Sequence, residues 1–124
     1  MYETDVVTLE TMVERVLDEL PTEFRERLDN LAIVVEDAPS AEDRERLGSG
    51  NGMLLGLYRG IPLTARRGSY GMAPPDKIIL FRRSLQLLAR DRDHLMGLVR
   101  HTVHHEVAHH FGISDARLRE LDAY

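Results

Sequence analysis

The sequence predicts one domain that mixes helices with a small sheet, helical at both ends and stranded in between. Three observations predict it. Apolar residues recur at spacings of three and four near both termini, the signature of amphipathic helices. Three short apolar runs, partly β-branched, stand between them and read as strands. A length of 124 residues suits one domain, residues 1–124, with one modest core.

The elements follow in order. Residues 8–20 predict a helix with Leu9, Met12, Val13, Val16, Leu17 and Leu20 inward and Thr8 as a candidate cap. Pro21 ends it and opens a short helix over 22–28, with Phe24 and Leu28 on its buried side. Residues 31–35 read as an inner strand, closed by 36–40. A helical turn is expected over 41–47, then a glycine-rich loop over 48–52. Residues 53–58 predict a second strand, turned by Gly60 and Pro62 toward a further short one. Residues 64–76, with Arg66, Arg67 and Tyr70, have little periodicity, and loops of that length are often functional. Residues 77–81 predict the third strand. Helices over 82–90 and 92–111 follow, the first carrying Leu85, Leu87 and Leu88, the second capped by Asp91 or Asp93. Beyond Gly112 a short C-terminal helix carries Leu118 and Leu121.

Composition narrows the function. The net charge of -5 offers no basic footprint for nucleic acid. The 16 basic residues are all arginine except Lys77, and no polybasic run marks a membrane surface. With no cysteine there is no disulfide framework, thiolate nucleophile or cysteine-type zinc site. No signal peptide or membrane span is apparent, so a cytoplasmic protein is expected. The oligomeric state stays open, a homodimer included.

All 6 histidines lie between His94 and His110, so nitrogen ligands for a metal can come only from this stretch. It contains His-Glu-x-x-His-x-x-Gly-x-x-Asp, from His105 to Asp115. Residues four apart on a helix lie about 40° apart around its axis and one turn along it. His105 and His109 can thus present two imidazoles to one cation, with Glu106 close enough to bond a metal-bound water. Gly112 lets the helix stop, and the returning chain can bring the Asp115 carboxylate to the same metal. Two nitrogens, one oxygen and a water make a tetrahedral zinc site with an open position, the catalytic kind. The bland readings stand beside this. Histidine-rich helices produce the five-residue motif by accident, and Asp115 can instead cap the next helix, a role Ser114 can also fill. Spacing alone leaves that choice open.

Leu95, Val99, Val103 and Val107 make an apolar stripe, and His105 lies about 160° around the axis from Val103 and Val107, so core packing and metal binding need not compete. His101, one turn before His105, reads as a polar wall residue rather than a ligand. His104 and His110 are about 100° from a metal histidine and read as solvated or packed. His94 reads as surface.

The stretch from His105 to Asp115 resembles the zincin metallopeptidases. With 31–37, 55–63, 77–82 and 102–115 taken together, residues 21–122 look like the small bacterial zincin-like metallopeptidase family. The last block is the specific one; the others support it. The resemblance implies an α+β fold: a small mixed sheet of about three to four strands, an active-site helix and flanking helices. It implies Zn2+ held by His105, His109 and Asp115, with Glu106 as general base. Metzincins have His where Asp115 stands and a methionine turn beneath the metal. No methionine follows Met96, so Tyr124 is a candidate for that floor or for an oxyanion donor, or is simply a terminal aromatic.

Two functions from different classes follow. The first is a zinc-dependent metallopeptidase acting on a peptide or protein substrate, with Glu106 activating the zinc-bound water and the substrate laid along the 53–59 strand. Arg66, Arg67 and Tyr70 would then rim its cleft. The second is a non-catalytic zincin-like metal-binding or protein-interaction scaffold. A metal-dependent RNA hydrolase is the weaker third: the bacterial family with a related helix has Gly where Glu106 stands.

Overall fold

The computed structural model describes residues 1–25, 28, 31–41, 43, 54–59 and 76–111. Among them the fold is α+β: helices α1 (Val6–Glu19) and α2 (Thr22–Arg25), strands β1 (Leu31–Glu36), β2 (Gly56–Arg59) and β3 (Asp76–Phe81), then α3 (Arg82–Leu88) and α4 (Arg92–Phe111). None of these helices is long and apolar enough to cross a membrane. The expected fourth strand at 60–63, the loop residues Arg66, Arg67 and Tyr70, and the helix after Gly112 lie outside the described residues.

Helix α1 begins two residues before its expected start. Asp5, not Thr8, is its cap: the Asp5 carboxylate accepts from the Thr8 N–H at 2.7 Å. Such a cap stabilises a helix by about 1 kcal/mol. Leu9, Met12, Val13 and Val16 form the buried stripe that the periodicity predicts. In α4 the expected span holds, and Asp91 is the cap, accepting from the His94 N–H at 2.8 Å. Helix α3 is shorter than expected and buries only Leu85 of its three leucines; Leu87 is 56% exposed.

The sheet is mixed, in the order β1-β3-β2. Strand β1 runs parallel to β3, from Leu31 opposite Asp76 to Glu36 opposite Phe81. Strand β2 runs antiparallel to β3, from Gly56 opposite Leu80 to Arg59 opposite Lys77. This corrects one expectation. Residues 31–36 form an edge of the described sheet, and the inner strand is β3, whose Ile78, Ile79, Leu80 and Phe81 are all fully buried. Both runs are apolar; pairing order is a tertiary choice that local composition does not encode.

Side chains alternate along a strand, so Asp76, Ile78 and Leu80 share one face with Gly56 and Tyr58 of β2. Helix α4 packs on that face. A Cβ on Gly56 would lie 2.5 Å from the Thr102 Cγ2 and 3.1 Å from the Ile79 carbonyl oxygen. Glycine here is what lets β2 lie directly against the helix. Helix α1 packs beside α4, joined at the rim by Arg100, whose guanidinium donates to both Glu19 oxygens at 2.8 and 3.2 Å. That pair is partly exposed and contributes at most about 1 kcal/mol.

A second fastening holds β2 from outside. The Asp43 carboxylate accepts from the Ser40 N–H at 3.3 Å, the Ser40 hydroxyl accepts from the Asp43 N–H at 3.1 Å, and Arg59 pairs with Asp43. Burial pushes the Asp43 carboxyl up, but the Ser40 hydrogen bonds and the Arg59 charge more than offset this, so it stays below its ordinary value.

Two outcomes are expected. Gly56→Ala should destabilise the protein by about 1–3 kcal/mol through overpacking. Adding Thr102→Ser, which deletes the offending methyl and keeps the hydroxyl, should recover much of the loss; urea midpoints of the wild type and the two variants measure both steps. Because the Asp43 carboxyl is lowered by folding, its stabilisation is present above the unfolded value near 3.8 and is lost as pH falls through the folded value. Asp43→Asn should therefore be less stable at neutral pH by about 1–3 kcal/mol. The gap should close in strong acid, as read by urea unfolding across pH.

Candidate metal centre

Helix α4 has three neighbouring stripes, each built on a four-residue spacing. Leu95, Val99, Val103 and Val107 are buried in the core shared with α1. Thr102, Glu106 and His110 are buried on the stripe beside it. His101, His105 and His109 form the third, the outer two exposed and His105 half-buried. A four-residue step advances the stripe only about 40° around the axis, so each stays nearly continuous over two turns.

On the histidine stripe, the ring centroids of His105 and His109 lie 4.5 Å apart at 64° between planes. His105, Glu106 and His109 each offer a ligand atom, and these atoms lie within 4.8 Å of one another. Glu106 is 6% exposed, and its Oε2 lies 3.4 Å from the His109 Nδ1. Its Cγ passes 3.8 Å from where a Gly56 Cβ would be, so the carboxylate sits between the histidines and strand β2. Two imidazoles at this separation are nitrogen donors suited to a divalent transition metal such as zinc, with the Glu106 carboxylate within reach of the same point. Gly112, Ser114, Asp115 and Tyr124 lie outside the described residues.

The other histidines divide. His101 stacks on His105 at 6.1 Å and 24°. His94 is half-buried, its Nδ1 accepting from the Arg90 N–H at 3.0 Å, so it terminates the α3–α4 turn rather than standing free on the surface. His104 and His110 are both packed. Burial pushes the His104 imidazole below its ordinary value; Arg100 and His101 push the same way and Glu19 opposes. His104 is therefore the neutral, space-filling histidine beside α1.

His110 has a specific partner. Its Nδ1 lies 2.7 Å from the Asp76 Oδ2, with both side chains 2% exposed. The same oxygen accepts from the Tyr58 hydroxyl at 2.7 Å. A carboxylate only accepts, so Nδ1 carries the proton. Sequence reasoning missed Asp76 and Tyr58. Asp76 stood as the last residue of a loop and Tyr58 as an ordinary strand aromatic. The available signal was the second polar stripe, Thr102, Glu106 and His110, running beside the histidine stripe.

The comparisons with known proteins concern the fold and the family. A conserved hypothetical protein from Thermus thermophilus has a similar structure, with a TM-score of 0.59 over 87% of this chain and 94% of that one, at 24% identity. At that identity the likeness concerns the fold alone. No curated protein matches the chain. The zincin-like metallopeptidase family profile matches residues 28–124, well over half of the sequence and the whole of the sheet and helix α4. The chain belongs to the zincin-like metallopeptidase family.

Proposed function

We propose that this protein is a zinc-dependent metallopeptidase, with His105, His109 and Asp115 holding the metal and Glu106 acting as general base. The observation that carries the reading is the convergence of the His105, Glu106 and His109 ligand atoms within 4.8 Å beside strand β2. Bound zinc would polarise a scissile carbonyl and bring the pKa of water toward ~7.

The chain's own residues do the rest. Glu106 takes a proton from the attacking water and passes it to the leaving amine nitrogen as the carbon–nitrogen bond breaks. Its burial against β2 fixes the carboxylate by packing rather than by solvent. Strand β2 pairs with β3 along one edge, and no described strand pairs with the other. An extended peptide added there would lie next to Glu106, in the manner of strand addition. Tyr124 is the proposed floor of the site or donor to the oxyanion.

Zinc should bind one to one. His105→Ala or His109→Ala should abolish uptake, and Asp115→Ala should weaken it strongly, as read by metal analysis of purified protein. Metal loading that survives either histidine change would show the site to be misassigned. Glu106→Gln keeps size but cannot take a proton. It should retain zinc and fold yet lose peptide hydrolysis by about 10²–10⁴-fold. A wild-type protein that binds zinc but cleaves nothing in a diverse peptide library would instead be a scaffold. Cleavage that ignores chelators, or persists at full rate in Glu106→Gln, would overturn the catalytic assignment.

A further inference from the structure

The last turn of α4 carries both a proposed metal ligand, His109, and the buried His110. These neighbours point about 100° apart, one toward the metal face and one toward the sheet. Whatever fixes the rotation of His110 therefore fixes that of His109. Asp76 does this at 2.7 Å from the first residue of β3, and Tyr58 of β2 donates to the same oxygen at 2.7 Å. Tyr58 and His110 also meet edge to face, with centroids 5.9 Å apart.

Two turns earlier, Thr102 lies over Gly56. From Thr102 to His110 is eight residues of helix, about 12 Å at 1.5 Å per residue. From Leu80, opposite Gly56, to Asp76 is four residues of strand, about 13 Å. Among the described residues, helix and sheet thus meet at two such points whose spacings match. The first is steric and can slide; the second is directional and buried, and so defines the register.

We propose that Asp76, with Tyr58 and His110, is a positioning group that sets the rotation of the metal histidines relative to strand β2. The inference rests on the metal-centre reading above. It adds that the strand proposed to take substrate and the helix proposed to hold metal are held in register through one carboxylate. Asp76 and Tyr58 are positioning residues; they do not touch the reacting atoms.

The test measures metal rather than turnover. Zn2+ affinity and the visible spectrum of the Co2+-loaded protein are compared for wild type, Asp76→Ala, Asp76→Asn, Tyr58→Phe and Val99→Ala. Val99 is fully buried on the core stripe of α4, away from the network, and serves as the control for lost stability alone. Asp76→Ala should weaken Zn2+ by about tenfold, the lower end of outer-shell effects, and shift the Co2+ absorption. Asp76→Asn, which keeps an acceptor oxygen, should restore part of both. Tyr58→Phe, which removes only a hydroxyl, should move both in the same direction by less, and it decides the matter if Asp76→Ala does not fold. Val99→Ala should lose stability and change neither. Wild-type affinity and spectrum in the Asp76 and Tyr58 variants, or an equal loss in Val99→Ala, would overturn this inference and leave the metal centre standing. A wild-type protein that takes up neither metal would overturn both.

Discussion

Helix α4 must satisfy three surroundings at once, and most of the structure follows from how it does so. Its apolar stripe enters the core with α1, its mixed stripe meets β2 and β3, and its histidine stripe carries the candidate metal site. The middle stripe is the demanding one. Burying Glu106 and His110 costs free energy unless each is held by polar partners. His110 is held by Asp76. Glu106 lies beside His109 and against the glycine of β2.

Gly56 is the condition for this packing. With a side chain there, β2 and α4 would have to separate, and the carboxylate of Glu106 would face solvent rather than a strand edge. Strand β2 is also held by the pair of Arg59 with the buried Asp43. A strand of four residues at the edge of the described sheet has little intrinsic persistence. These two fastenings keep its edge in place next to the metal histidines.

Much of this was legible in advance because the signals are local. The span of α4, the core stripe Leu95, Val99, Val103 and Val107, and the shared face of His105 and His109 all follow from helical geometry applied to the sequence. The strands at 31–36 and 76–81 follow from short apolar runs. What was misread concerns partners. Thr8 has the look of a cap because the apolar pattern starts just after it, but Asp5 supplies the stronger acceptor one turn earlier. The 31–36 run has the look of an interior strand because it is apolar, yet β3 takes the centre of the described sheet.

By itself, the sequence determined the class of fold, the helix that bears the site and the donor atoms available to a metal. Each depends on residue type and on a period fixed by backbone geometry. The tertiary structure alone decided that β3 lies between β1 and β2, that Gly56 meets Thr102, and that Asp76 and Tyr58 close on His110. Tyr58 and Asp76 are 18 positions apart in the chain, and Asp76 and His110 are 34 apart. Such contacts are selected by the joint packing of helix and sheet, which no local window of sequence contains.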